Sequence, residues 1–436
     1  MQVTYRPSPT TLRHARLPRW LLGLGWPDHP QHAGFPALAK LVIEQGKVLQ
    51  VTPETEAPQE PGAWNLGGAL VLPSFVDAHV HLDKTFTGER AAPAVPGLLG
   101  AIEASMTDLS CWTPADIHTR AARGLQWAWD SGTTHLRTHV NWSDVGPTPM
   151  AWQVLTQLSH DWSDRLLLEL VSLTRLDSFR EAAAARHVAR QVKASGPNAV
   201  MGGFVHSTNW SPVGLRHLFE AAQTTDLDVD LHVDEELNPN AQGLQATARV
   251  LRELGFEGRV VCGHVCALAA MPRDQALAIL DEVARVPITL VSLPITNLLL
   301  QDATPAQTPR LRGITLVKEA RARGIPLLFA SDNVEDPFCA TGSYDPLEAM
   351  WCAVSGAQLN NPFDHWSDTL CRRDFLSRSP RQTVTLVGAP ADLVIFTHAN
   401  ATGWPSRSGP RVVLRTGVAQ HAPPGAWLAP HPTPQP

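Results

Sequence analysis

The sequence predicts an α/β protein: a (β/α)8 TIM-type barrel with a small β-sandwich domain formed from both termini. Three observations carry this expectation. Apolar runs rich in β-formers recur through the middle of the chain, each followed by a helical pattern, as in parallel strands joined by helical crossovers. With the opening run included there are eight, the number that closes a barrel. Both ends instead carry short strands among prolines and glycines. An open doubly wound sheet is the rival, but no glycine-rich phosphate loop follows the first strand. Gly67-Gly68 precedes that strand and reads as a turn.

In chain order, Lys40 to Glu44 and Gly46 to Val51 form a hairpin pattern, and Ala391 to Phe396 and Arg411 to Arg415 are strand-like. These ends give a discontinuous β domain over 1–70 and 384–436, around a barrel over 71–383. Ala422 to Pro436 is proline-rich and expected to be a loose tail. The barrel strands begin in the run from Val71 to Lys84. They continue through Gly132–Val140, Arg165–Leu173, Ala199–His206, Leu227–Asp234, Arg259–His264, Ile288–Leu293 and Ile325–Asp332. Helical patterns such as Trp152–His160, Phe179–Ala194, Leu215–Gln223, Leu244–Leu254 and Arg273–Arg285 lie between them.

Composition narrows the function classes. A chain of 436 residues with 44% hydrophobic and 17% charged residues is globular. A net charge of -6 gives no reason to expect nucleic acid or anionic membrane as a partner. The start lacks the apolar core of a signal peptide, and Trp20 to Trp26 is too short to cross a bilayer. Six scattered cysteines form no disulfide framework, so a cytoplasmic protein is expected. Barrels of this type often associate, so a homo-oligomer is possible, but no stretch identifies an interface.

The chemistry-bearing residues fall at one end of these strands. Side chains two apart on a strand share a face, so His79 and His81 project together. His232 closes the fifth strand, followed by Asp234 and Glu235; His264 closes the sixth and Asp332 the eighth. In a (β/α)8 barrel that end carries the reactive groups. A histidine ending one apolar strand is ordinarily a rim residue; several histidines and a carboxylate at one end point to a metal. His79, His81, His232 and Asp332 can surround one divalent cation and leave a position for water, and nitrogen-rich ligation suits Zn2+ or Fe2+.

The segments Val76-Asp-Ala-His-Val-His-Leu-Asp83, Leu231-His-Val-Asp-Glu235, Cys262-Gly-His264 and Ala330-Ser-Asp-Asn-Val-Glu-Asp-Pro-Phe338 resemble the amidohydrolase superfamily, and more narrowly its cytosine deaminase-like branch. Arg137-Thr-His-Val140, Asn297 to Gln301, Arg312 to Lys318 and Gly388 to Val394 match that branch too. The resemblance implies that His79, His81, His232 and Asp332 bind the metal, that Glu235 shuttles protons, and that His264 touches substrate or the attacking oxygen. It implies a hydrolytic deaminase of a nucleobase or related nitrogen heterocycle. A bound metal lowers the pKa of water from 15.7 to about 7, which supplies a nucleophile for the amino-bearing ring carbon. Glu235 then acts as general acid and base, His264 stabilises the developing oxyanion, and Asp332 accepts the water's proton. Asp234 and Glu236 flank Glu235, so the choice among the three acids rests partly on the resemblance.

Departures from the branch pattern bear on substrate. Thr174-Arg175 stands where cytosine-specific members carry a proline-glutamine pair, and arginine only donates. Cytosine is therefore expected to be a poor substrate, unless Arg175 merely pairs with Asp177. Asn333 and Phe338 replace an aspartate and a tryptophan, so the pocket floor differs. Lys84 either reaches the pocket or pairs with Asp83 or Glu89. Cys262 and Cys266 flank His264 without a second cysteine pair, and the H-x-E with P-C-x-x-C pattern of the other zinc deaminases is absent. Val205-His206 stands where two-metal relatives place a bridging lysine, which favours one ion. The alternatives are an amidohydrolase that opens a cyclic amide or removes an alkylamine, and a binding protein that kept the barrel.

Overall fold

The apolar runs of the middle form one parallel sheet of eight strands in the computed structural model, which describes residues 8–55, 61–142, 145–376 and 385–428. We label these strands β1 (Phe75–Val80), β2 (Thr133–Trp142), β3 (Leu167–Thr174), β4 (Ala199–Val205), β5 (Val229–Val233), β6 (Val260–His264), β7 (Ile288–Ser292) and β8 (Leu327–Phe329). Their spatial order follows the sequence, as short crossovers require. The ring is joined between its last and first strands by a parallel bridge, Val80 to Asp332. This is the (β/α)8 barrel expected from the alternation.

Local chemistry sets the crossovers. The helix Pro114–Ser131 has proline in its first turn and Thr113 as its cap, whose side chain accepts from the Asp116 N–H. It ends at Gly132, whose φ of 114° is a conformation that favours glycine. Pro212–Thr225 begins in the same way, under a Ser211 cap. The helix Gly243–Leu254 borrows its cap from a distance: both Asp234 oxygens accept backbone N–H groups, from Gly243 at 3.0 Å and Leu244 at 2.9 Å.

Two compact units result, Met1–Phe75 with Leu359–Cys371 and Gln382–Pro436, and Val76–Gln358 with Arg372–Arg381. The first holds two four-stranded sheets. One contains the expected hairpin, Ala39–Glu44 with Lys47–Pro53, beside Thr11–Ala15 and Ala63–Asn65. The other pairs Leu70–Pro73 with Leu393–Phe396 and then Arg411–Arg415. Leu12, Leu41 and Val48 of one sheet share a core with Val71, Leu393 and Leu414 of the other, which makes a sandwich. The expected boundary near 384 and the tail beyond Leu428 lie outside the described residues. The tail is ordered further than its prolines suggest: Gly425–Leu428 is helical, and Trp427 is buried 6.2 Å from Trp64. An indole is enough apolar surface to anchor a terminal segment.

Inside the barrel, the period-two face of β2 is polar throughout. His135, Arg137 and His139 all point inward, and Arg137 is fully buried. Its guanidinium donates to Glu169 at 2.8 Å and to Asp230 at 2.9 Å. Burial alone pushes Glu169 up, but the charges of Arg137 and His135 outweigh it and hold the carboxyl at about 2. Buried charges persist when paired in this way.

Candidate active site and metal centre

Strand ends gather the predicted ligands. His79 is the penultimate residue of β1 and His81 follows that strand; His232 lies within β5, and Asp332 follows β8. The Asp332 N–H donates to the His79 carbonyl at 2.9 Å, so the barrel-closing contact also sets two of the four side chains beside each other. Gly263 on β6 leaves room for the His79 ring: a Cβ there would stand 3.0 Å from its Cε1 and Nδ1.

The ligating atoms converge. His79 Nε2 lies 3.1 Å from His232 Nε2, which lies 3.3 Å from His81 Nε2. Asp332 Oδ1 is 3.2 Å from His81 Nε2 and 3.7 Å from His79 Nε2. Four ligands at about 2.0–2.1 Å around a tetrahedral ion stand roughly 3.4 Å apart, close to these separations. Burial holds all three imidazoles well below the usual histidine range, so they are neutral with lone pairs to give. The His81 Nδ1–H faces the His139 carbonyl at 3.2 Å, which leaves Nε2 as the ligating atom. Both oxygens of Asp332 are buried; the Thr296 hydroxyl and the Asn333 N–H lie near the carboxylate, but neither makes a hydrogen bond of full geometry to it. Three neutral imidazoles and a weakly held carboxylate fit a divalent cation.

Backbone strain concentrates here. His264, Val265 and Asp332 have φ of 68°, 47° and 62°. For a β-branched residue such as Val265 this is a true outlier, and such strain persists where surrounding structure fixes it.

A cavity of about 160 Å³ opens beside the four ligands, lined by His81, His232, Glu235 and His264 among others. The three neighbouring acids separate cleanly. Asp234 caps a helix, as described above. Glu236 accepts from the Ser207 N–H and hydroxyl at 2.7 and 2.8 Å. Glu235 alone of the three lines the cavity, where burial, and then the charge of Asp332, push its carboxyl well above the usual range. His264 Nδ1 lies 3.0 Å from Asn297 Oδ1, and Asn297 Nδ2 faces the Gly313 carbonyl at 3.4 Å. This network assigns the proton of neutral His264 to Nδ1 and leaves Nε2 an acceptor, buried and without a partner among the described residues.

Residues 172–402 match the Amidohydrolase family. A pterin deaminase from Rhizobium rhizogenes is 35% identical over 383 residues, 87% of each chain. The chain belongs to the amidohydrolase family. It is accordingly a hydrolase of carbon–nitrogen bonds other than peptide bonds. An N-isopropylammelide isopropyl amidohydrolase from a Pseudomonas species is 26% identical, over 68% of this chain and 71% of that one. The fold is shared with the crystal structure of a 5-methylcytosine deaminase from Klebsiella pneumoniae, at a TM-score of 0.78 and 24% identity over 95% of this chain and 98% of the other.

The remaining predicted residues of this amidohydrolase sit around the same cavity. Arg175 lines it and also forms a two-pronged pair with Asp177, at 3.1 and 3.0 Å, with its side chain half exposed. The pairing with Asp177 thus does not take Arg175 out of the cavity lining. Asn333 and Phe338 line the floor and are organised by Asp336, which accepts from Asn333 Nδ2 at 2.6 Å and from the Phe338 N–H at 2.9 Å. Cys262 and Cys266 are buried with thiols pushed well above their usual range, which suits packing and not ligation.

Several residues near the site carried no role from sequence. His139 packs edge-on against His79, with ring centres 3.7 Å apart, and its Nε2 lies 3.4 Å from Asp230 Oδ1. The signal was present in the alternation of His135, Arg137 and His139. The helix Leu98–Asp108 supplies an apolar wall of Leu98, Ile102 and Met106. Nothing in its sequence distinguishes that wall from ordinary packing. Among the described residues no helix is long and apolar enough to cross a membrane.

Proposed function

We propose that this amidohydrolase is a metal-dependent hydrolytic deaminase of a nucleobase or related nitrogen heterocycle. One observation carries the reading: the ligating nitrogens of His79, His81 and His232 converge, with an Asp332 oxygen 3.2 Å from His81 and 3.7 Å from His79, beside a cavity that Glu235 and His264, but not Asp234 or Glu236, line. The deaminase activities named for the Rhizobium and Klebsiella proteins support an amino-bearing ring as the target. His79, His81, His232 and Asp332 hold one ion, Zn2+ or Fe2+. The single-ion reading is supported by the Val205-His206 sequence at the end of β4. A cytoplasmic location accords with six cysteines that are all free.

When bound, the cation supplies the Lewis acidity that brings water's pKa from 15.7 to about 7. The chain's own groups manage the protons. Asp332 accepts the hydrogen bond of the attacking water through a carboxylate oxygen. Burial holds the Glu235 carboxyl well above the usual range, so it serves as the acid. It gives its proton to a ring nitrogen, takes up the proton that Asp332 accepts from the attacking water and passes that one to departing ammonia; the proton of the added hydroxyl then returns to Glu235 as the product carbonyl forms. His264 presents a bare Nε2, so it first accepts a hydrogen bond from the attacking water. It stabilises the tetrahedral oxygen only after taking up a proton. Arg175, His264, Asn333 and Phe338 contact the ring.

The test is a screen of aminated pyrimidines, purines, pterins and triazines for ammonia release, with Glu235→Ala as the blank. Ammonia from at least one ring, absent in the blank, is the expected result; none from any ring overturns the reading. The Pseudomonas relative supports a second reading, removal of an alkylamine, in which the released amine carries its alkyl group. Ring opening of a cyclic amide releases no amine at all.

A further inference from the structure

The pocket contains a cation that the reaction described above does not use. Lys84 is 3% exposed and lines the cavity, with Nζ 3.1 Å from Asn141 Oδ1 and 5.1 Å from the centre of the Phe338 ring. Nζ also lies 3.2 Å from His81 Nδ1. That nitrogen cannot accept from it, since it carries the proton that faces the His139 carbonyl when Nε2 faces the metal position. An ammonium has three N–H groups, and among the described residues only Asn141 is left to receive one. Among the described residues no carboxylate lies within 4.0 Å of Nζ. The acids that feel its charge are engaged elsewhere: Glu235 faces His264 at 3.4 Å, Asp332 stands at the candidate metal position, Asp336 holds Asn333 and Phe338, and Asp83 accepts the Asn141 N–H at 2.9 Å.

A buried charge is expensive unless it is paired. The buried guanidinium of Arg137, by contrast, has carboxylate partners in Glu169 and Asp230. Lys84 stands out because its free donors face space open to a ligand. A divalent ion held through His81 adds charge of the same sign, so an anion is favoured there on two counts. The Phe338 ring lies 5.1 Å from this charge, and apolar Leu98 and Ile102 line the same cavity, which lowers the local dielectric.

We propose that Lys84 forms an anion subsite, and that the preferred substrates are heterocycles carrying an anionic oxygen away from the amino-bearing carbon, either a carboxylate substituent or an ionised ring oxygen. This rests on the deaminase reading for the identity of the reaction, but not for the subsite itself. Lys84 is then a specificity residue: it sets which ring is held and in what orientation, while the proton transfers remain with Glu235, His264 and Asp332. The side chain donates two N–H groups to the ligand oxygens and keeps the third on Asn141.

The experiment has two arms, both on the full metal-loaded chain. In the first, ammonia release is measured for matched aminated rings: neutral, carboxylated, and bearing a ring oxygen ionised at the assay pH. A charge-assisted contact lowers KM for the anionic member by about ten- to hundredfold with kcat nearly constant. Lys84→Met removes that advantage, and Lys84→Arg restores part of it. Whichever anionic ring shows the gain identifies the source of the oxygen. Equal KM for neutral and anionic rings in the wild type overturns the subsite and leaves the deaminase reading intact. In the second arm, calorimetry follows binding of the same carboxylate without its amino group, which cannot react. Tighter binding to wild type than to Lys84→Met upholds the subsite even if no ring releases ammonia; equal binding overturns it.

Discussion

The backbone N–H of Asp332 donates to the carbonyl of His79, and this hydrogen bond of 2.9 Å joins two candidate metal ligands across the seam of the barrel. The cation position and the closure of the sheet therefore depend on the same few atoms. Metal occupancy should be felt as stability. Thermal unfolding of chelated protein is expected at lower temperature, with Zn2+ or Fe2+ restoring it in proportion to free metal. In His79→Ala the restoration disappears together with bound metal. A variant that keeps both metal and activity contradicts the site.

The three consecutive acids after β5 should fail in three different ways. Glu235→Gln is expected to lose about 10²- to 10⁴-fold in kcat at unchanged metal content, the range for a general acid–base residue. Asp234→Asn should cost about 1 kcal/mol of stability through the weakened cap on Gly243–Leu254. Glu236→Gln disturbs the Ser207 turn and the 3.9 Å contact with His206, neither of which lines the cavity, and its kcat should stay within a few-fold of wild type. Denaturant melts and steady-state kinetics on the three variants separate these outcomes.

Arg137 and Glu169 give a pH signature. Glu169 titrates near 2 when folded, against an ordinary value of 4.5, so the folded state gains from its ionisation. That gain is complete above about pH 4.5 and fades as pH falls toward 2. Glu169→Gln leaves Arg137 half-paired and should cost about 3 kcal/mol at pH 7. The gap between wild type and variant in urea melts should narrow steadily below pH 4.5. A gap that stays constant down to pH 3 rules out the ion pair as its cause.

Arg175 at the rim should govern how poorly cytosine is used. Arg175→Gln supplies an acceptor that arginine lacks, and kcat/KM for cytosine relative to the best substrate is expected to rise several-fold. Asp177→Asn frees the guanidinium and should shift KM and not kcat, since Arg175 lines the cavity with a half-exposed side chain and holds none of the candidate metal ligands. Cytosine turnover comparable to that of other rings, and unaffected by Arg175→Gln, contradicts the assignment.

Much of this was legible in the sequence because parallel strands translate spacing into direction. His79 and His81 two apart, and single polar residues ending apolar runs at His232, His264 and Asp332, need only the period of a strand and the rule that one barrel rim is reactive. What stayed hidden depends on neighbours far along the chain. Whether Asp83 or Lys84 turns inward is decided by β2, where Asn141 receives both: its N–H goes to Asp83 and its side-chain oxygen takes the Lys84 ammonium. The choice of Glu235 over Asp234 and Glu236 needed the helix at Gly243 and the turn at Ser207, each of which removes one competitor. The acceptor state of His264 required Asn297, which lies on a different crossover.

The pairing of Leu70–Pro73 with Leu393–Phe396 has a consequence for biosynthesis. A nascent polypeptide emerging from the ribosome exposes the earlier segment long before its complement has been translated, so that edge must wait, unpartnered, through the whole of barrel assembly. Premature termination after the barrel unit ends at Arg381 but ahead of Leu393 would leave a sticky ribbon on an otherwise finished enzyme body, and such fragments should be prime clients for chaperones and proteases.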